Sequence, residues 1–208
     1  GSHRLRRYVD NLIDVSRLEM GSLETKFSNE NIVSVVEDAT LSIVDLAESH
    51  NIEVIFDTEE EEIITAIDRS KIERVILNLL SNSIKFTKNS GSIFVEVKQE
   101  NEFVIIRVED TGIGISEELQ KNIFDKFKRA ETYNGLERSY EGSGLGLYLV
   151  KGLIELHQGE IKLESEENKG SIFTIKLPIR LVEDEDNKNL SKNESINFNA
   201  NRELSDID

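Results

Sequence analysis

Two asparagines four residues apart, Asn78 and Asn82, interrupt an otherwise apolar segment, Ile76-Leu77-Asn78-Leu79-Leu80-Ser81-Asn82-Ser83-Ile84-Lys85-Phe86. On a helix that spacing puts both amides, with Lys85 nearby, on adjoining parts of one surface. A buried amide needs hydrogen-bond partners to offset its desolvation, so one reading is a pair of structural residues bonded to neighbouring backbone. The other is chemical: an amide oxygen is a hard ligand for Mg2+, which takes oxygen donors and usually reaches a protein through one or two groups plus substrate phosphates. A second segment, Asp110-Thr111-Gly112-Ile113-Gly114-Ile115, ends a strand-like run. Its glycines let the backbone turn sharply and approach a ligand closely. A carboxylate at Asp110 can accept from the exocyclic amine of adenine, where guanine presents an oxygen and leaves the pair unmade. A plain strand-ending turn explains the same residues. The third segment is Glu141-Gly142-Ser143-Gly144-Leu145-Gly146-Leu147, just before a helical stretch. Glycines at two-residue spacing there expose backbone N–H groups at a positive helix end, a setting suited to a triphosphate. A hinge or a helix-ending glycine is the plainer alternative. Neither the Gly-x-x-x-x-Gly-Lys-Ser/Thr loop nor the Gly-x-Gly-x-x-Gly fingerprint is matched.

These residues need elements to hold them. Asp68 is placed to cap a helix over 69–86 whose apolar side carries Ile72, Val75, Ile76, Leu79, Leu80 and Ile84. Residues 92–99 and 103–110 read as a hairpin ending at Asp110, and 160–165 and 171–177 as a second strand pair, with a helix over 148–156 before it. Upstream, the pattern predicts one helix over 31–50 and strands over 52–56 and 63–67. At the start, Leu5, Tyr8, Val9, Leu12, Ile13 and Met20 recur at helical steps, and Gly21 is a stop signal. That helix is either packed on its own domain or cut from a bundle. Residues 128–141 lack apolar periodicity and read as a mobile loop. Beyond Pro178 the composition turns acidic and rich in Asn, so 181–208 is expected to be a disordered tail or linker. Helices mixed with hairpin-connected strands imply a layer of helices on one antiparallel-rich sheet.

Composition narrows the chemistry. A net charge of -16 opposes non-specific attraction to nucleic acid or anionic membrane, so any phosphate must be held by a local site. The absence of Cys excludes disulfides and thiolate metal sites. Three His, of which His3 sits in an opening Gly1-Ser2-His3 that looks like an expression scar, make a poor zinc centre. No apolar run approaches a bilayer span, so a cytoplasmic location without membrane contact is expected for this stretch, any anchor at the inner face of the cell membrane lying elsewhere.

The three segments occur in a fixed order, with Ile123-Phe124-Asp125-Lys126-Phe127 between the second and third. In that order the chain resembles the sensor histidine kinases of the Bergerat-fold ATPases over about residues 27–180. Asn78 to Phe86 looks like the family's N box, Asp110 to Gly114 its G1 box, Phe124 to Phe127 its F box and Gly142 to Gly146 its G2 box. The resemblance implies an α/β fold, a two-layer sandwich with a mixed, mostly antiparallel sheet covered by helices on one face, and ATP with Mg2+ as its ligands. It implies that Asn82 supplies oxygen to the metal, with Asn78 and Lys85 near the phosphates, and that Phe86 packs on adenine while Asp110 reads its amine. Gly112 and Gly114 would shape the pocket; Phe127, Gly142, Gly144, Leu145 and Gly146 would belong to the closing lid side. Arg129 would meet the terminal phosphate. Ser171 stands where relatives often have Thr near the adenine, and Ser83 replaces a frequent Ala without expected consequence.

In hydrolytic cousins a Glu four residues before the metal-binding Asn activates water, and here that position is Asn78. The implied reaction is therefore phosphoryl transfer to a histidine, relayed to an Asp of a response regulator receiver domain. Tyr8 to Gly21 looks like the end of the family's dimerisation and phosphotransfer hairpin. The expected division is thus scar 1–3, hairpin remnant 4–25, ATP-binding domain 26–180 and tail 181–208, with a homodimer formed through the full hairpin. No segment matches the His-Glu/Asp-x-Arg/Lys-x-Pro type of acceptor, and His50 and His157 are both expected at the surface. A nucleotide-sensing scaffold without transfer is the alternative; a gyrase-type or chaperone-type hydrolase is disfavoured by Asn78.

Overall fold

The computed structural model describes residues 2–127 and 143–183, with side chains from residue 5 onward. The predicted loop over 128–141 and nearly all of the predicted tail lie outside the described residues, as do Arg129 and Gly142.

Helix α4 (Arg69–Phe86) spans 18 residues, and its start is fixed as the sequence predicts. Asp68 is extended and its carboxylate accepts from Lys71 N–H and from the backbone N–H of Lys26. Burial alone pushes the Asp68 carboxyl up, but the hydrogen bonds from Lys26, Ser70 and Lys71 outweigh it and leave its pKa below the ordinary value. The helix buries Ile72, Val75, Ile76, Leu79, Leu80 and Ile84, the predicted apolar side.

Five of the described strands form one sheet in the order β2 (Glu53–Thr58), β4 (Ser92–Glu100), β5 (Phe103–Asp110), β7 (Gly170–Pro178), β6 (Glu160–Glu166). Only β2 and β4 run parallel; the other neighbours are antiparallel. Alternation decides the faces. Ile93, Val95 and Val97 of β4, Val104, Ile106 and Val108 of β5 and Phe173, Ile175 and Leu177 of β7 join one core with α2 (Ile32–Leu41), α4 and α6 (Gly146–Leu156), to which the single-turn α5 (Glu117–Gln120) adds no buried residue. The other face mixes polar side chains, among which Lys98 pairs with Glu100 and Arg107 with Glu109, with Phe94, Phe103, Ile105 and Ile172. The result is the two-layer α/β sandwich expected.

Three local expectations are corrected. The single helix over 31–50 is two, α2 and α3 (Val44–Ser49), broken at Ser42-Ile43. Thr40 and Ser42 hydroxyls both bond back to carbonyls of the preceding turn, at 2.7 and 2.6 Å, and Ile43 is β-branched, so the helical ladder is weakened from both sides. The strand at β3 (Ile64–Ile67) does not join the main sheet but pairs with β1 (Ser28–Asn31), a strand made entirely of polar residues that periodicity could not mark. Finally, His157 is not at the surface. It is 2% exposed, with Nε2 accepting from the Asp68 N–H at 3.0 Å and Nδ1 donating to Leu153 O at 2.7 Å. Its ring meets Phe27 edge-on, with centroids 5.2 Å apart.

The N-terminal helix α1 (Ser2–Glu19) lies on the domain. Val15 and Leu18 are buried, and Leu18 fills the notch that Gly152 leaves in α6, where an added Cβ would sit 2.1 Å from Leu18 Cδ2. Leu5, Val9 and Leu12 stay exposed. At the other end, Val182 exchanges two 2.9 Å hydrogen bonds with the Asn29 side chain, so the chain is held to β1 past residue 180.

Candidate functional site

The last turns of α4 and the end of β5 are brought together by hydrogen bonds that involve the motif residues themselves. Asp110, the final residue of β5, is 6% exposed. Its Oδ1 accepts from Gly112 N–H at 2.9 Å and its Oδ2 from the Ser83 hydroxyl at 3.4 Å. The Gly112 bond closes a tight turn, and Ser83 reaches it from α4, one residue after Asn82. Burial pushes the Asp110 carboxyl above its usual range, against the pull of the Gly112 and Ser83 donors toward the charged form. A desolvated carboxylate with both oxygens already oriented is a strong, directional acceptor for an amine.

Glycine is required in this turn for packing. A Cβ on Gly112 would lie 2.6 Å from Phe86 O, and Ile113 N–H bonds that same carbonyl at 3.1 Å, which seals the loop on the end of α4. Gly114 has φ +69° and its Cβ would lie 2.0 Å from Glu166 O. The glycine thus allows the loop to lie directly against the end of β6. Ser171 lies opposite Asp110 in the β5–β7 register, and its hydroxyl pairs with that of Ser165 at 2.8 Å.

Phe127 and the glycine segment also meet. Phe127 N–H donates to Gly144 O at 2.9 Å; Phe127 has φ +60° and its side chain is 64% exposed. Leu145 is buried, and Ser143 Oγ accepts its N–H at 3.2 Å. A Cβ added at Gly146, in the first turn of α6, meets nothing within 4 Å among the described residues. Lys85 lines a cavity of about 560 Å3 with His50, Ile84, Thr87, Lys88 and Asn89. Its Nζ lies 5.6 Å from the Phe86 ring centroid.

The asparagines test whether a polyphosphate and a metal fit. Asn78 is 7% exposed; its Oδ1 accepts from Arg7 Nη2 at 3.1 Å, and its Nδ2 has no partner among the described residues. A buried donor left unpaired costs about 1–3 kcal/mol, which an anionic oxygen would recover. Asn82, half-buried, is one turn further along the same helix. Among the described residues no group of three or more His, Cys, Asp or Glu could hold a metal. A hard cation here would depend on amide oxygen and on the ligand's own phosphates, the donor set that Mg2+ accepts.

Two residues at this site differ from the sequence expectation. Ser83, expected to be without consequence, donates to Asp110, 27 residues away. Arg7 lies 71 residues from Asn78, and nothing in its local pattern marks it.

Over residues 67–181 the chain matches the family described as histidine kinase-, DNA gyrase B-, and HSP90-like ATPase. It is 32% identical over 179 residues to Histidine kinase P4 of Formosa agariphila, a match covering 86% of this chain and 13% of that protein. The chain thus spans a small part of that curated relative. The solved catalytic domain of histidine kinase ThkA is similar, at a TM-score of 0.64 and 29% identity over 74% of this chain and 95% of that one. ThkA in complex with the response regulator protein TrrA gives a TM-score of 0.68 and 25% identity over 86% of this chain and 48% of that one.

Proposed function

This chain belongs to the histidine kinase-, DNA gyrase B- and HSP90-like ATPases as a histidine kinase catalytic ATP-binding domain, and from that premise we propose that it binds Mg-ATP and hands the terminal phosphoryl group to a histidine on a phosphoacceptor hairpin. The observation that carries this reading is the buried Nδ2 of Asn78, without a partner among the described residues, on the same helix whose Ser83 bonds Asp110. One helix then faces both ends of the nucleotide. Asp110 accepts from the adenine amine, with Ser171 beside it and Phe86 against the base. Asn78 and Lys85 meet the phosphates, and Asn82 offers its amide oxygen to Mg2+, which when bound would neutralise phosphate charge.

The first turn of α6 would direct N–H groups at the phosphates, with Phe127, Gly144, Leu145 and Gly146 on the closing side; Gly142 and Arg129, which lie outside the described residues, keep the roles the resemblance implies, at the closing side and the terminal phosphate. Asn78 stands where a water-activating Glu would be, and an amide is no general base, so the chain positions ATP for an imidazole nucleophile and leaves water without a catalyst. We assign α1 to the end of the hairpin, whose exposed Leu5, Val9 and Leu12 would pair with the rest of a dimeric bundle. The receiver domain of a response regulator would then take the phosphoryl group, a reading supported by the ThkA complex with TrrA. No helix among the described residues is long and apolar enough to cross a membrane.

The test is label transfer. The chain, mixed with γ-labelled ATP, Mg2+ and a separately supplied acceptor hairpin, is expected to label the hairpin histidine while releasing little free phosphate. Steady ATP hydrolysis abolished by Asn82→Ala, without label on the hairpin, would contradict the kinase reading and favour a hydrolase.

A further inference from the structure

Arg7 reaches the site from a helix that the ATP-binding motifs do not include. Its Nη2 donates to Asn78 Oδ1 at 3.1 Å, and among the described residues the other half of that amide, Nδ2, is buried without a partner. The two facts are linked. A guanidinium has only donors, so the amide oxygen must face it, and turning the amide over would set N–H against N–H. Arg7 therefore determines which end of the Asn78 amide is left unpaired among the described residues, and that end is a donor.

The placement is not incidental to one contact. Arg74 of α4 pairs with Asp14 and accepts no alternative register, since its second nitrogen donates to Asn11 Oδ1 at 2.7 Å. Residues 14 and 11 thus meet residue 74, and residue 7 meets residue 78, so α1 and α4 run antiparallel and side by side. At the other end, Glu19 pairs with Lys126 and accepts from Tyr148 Oη at 3.3 Å, and Leu18 is seated in the Gly152 notch. Helix α1 is held at three further points, and these fix where the Arg7 guanidinium falls.

We propose that Arg7 is a positioning residue for the nucleotide site: it locks the Asn78 amide with Nδ2 inward as a phosphate donor, and in doing so divides the labour of the two asparagines, leaving the metal-ligand role to Asn82 alone. The inference rests on the nucleotide-binding reading above. It also makes nucleotide affinity depend on the docking of α1, because a helix lifted off α4 takes the lock with it.

The experiment has two arms on the same chain. In the first, Mg-ATP affinity is measured by calorimetry for the wild type, Arg7→Ala, Arg7→Lys, Asn78→Ala and the Arg7→Ala/Asn78→Ala pair. Arg7→Ala is expected to weaken binding roughly three- to tenfold, about the worth of one hydrogen bond, and to have no further effect once Asn78 is Ala. Arg7→Lys, which keeps a donor, should recover most of the loss. An unchanged affinity in Arg7→Ala overturns the proposal, as does an equal loss in the Asn78→Ala background, which would mean that Arg7 acts on the ligand directly. In the second arm, the Asn78 side-chain NH2 resonances are followed without nucleotide; they should move in Arg7→Ala and stay unmoved in a control such as Arg69→Ala. An unmoved Asn78 amide in Arg7→Ala overturns the contact. A wild-type chain that binds no nucleotide, with the amide shift still present, instead overturns the functional reading and with it the purpose assigned to Arg7.

Discussion

At the scale of single residues, the site is built from groups that cost stability. Burial raises the Asp110 carboxyl pKa, so its charged form is disfavoured by folding and becomes useful only when a donor arrives. Asp110→Asn keeps an oxygen for the Gly112 N–H but turns an acceptor toward the ligand into a donor or weakens it. We expect the variant to melt no lower than wild type while losing roughly 10- to 100-fold in ATP affinity, the range for a hydrogen bond to a buried charge. Calorimetric melting and titration check the two halves separately; a large fall in melting temperature with unchanged affinity would make Asp110 structural. Ser83 shows how much of this was hidden from sequence. Asp110, Asn78 and the glycines stand out by type and spacing, whereas a serine inside a helix is unremarkable until a hydroxyl contact across 27 residues gives it an object.

At the scale of elements, the start of α4 is tied to the end of α6, and this junction has a pH dependence. His157 caps the Asp68 N–H as a neutral ring, with its proton on Nδ1 toward Leu153 O, and burial holds its pKa down to about 4. The unfolded chain, near 6.5, binds the proton more readily between those values, so stability is complete above about pH 6.5 and is lost as pH falls toward 4. The loss is on the order of 3 kcal/mol. Asp68 works in the same direction lower down: its pKa is depressed in the fold, so its contribution is present above the ordinary carboxylate value and is lost as pH falls through the folded one. Urea midpoints measured across this range should fall steeply in the wild type between pH 6.5 and 4. In His157→Gln they should start lower and vary much less over the same window. Equal slopes would remove His157 from the account.

Elements also show where sequence reading succeeds and fails. The ends of α4, the β4–β5 hairpin and the second strand pair follow from local signals, an N-cap aspartate, alternating apolar residues and polar turns. The polar β1 exists only because β3 and the chain past Pro178 pair with its backbone and side chains, and the break between α2 and α3 turns on hydroxyls that back-bond locally. His157 reads as exposed because it precedes Gln158-Gly159, and it is buried because its partner is 89 residues away.

At the scale of the whole molecule, a chain of net charge -16 that holds a polyanion must create a local exception to its own field. The exception proposed here is made largely of neutral donors, an amide and backbone N–H groups, with Lys85 and Arg129 as the proposed cations, while Arg7 acts on the Asn78 amide and not on the phosphates. The fold class was legible because four ordered motifs constrain it. The contribution of α1 was not, because it depends on how two helices far apart in sequence lie together. The central claim is that the end of α4, the Asp110 loop, the strand residue beside it and the first turn of α6 surround one nucleotide. Backbone amide shifts recorded on adding a non-hydrolysable ATP analogue with Mg2+ test it most directly. The account predicts the largest changes together at residues 78–86, Gly112, Ser171, Leu145 and Gly146; changes at only one of these regions, or confined to the cavity beside His50, would contradict it.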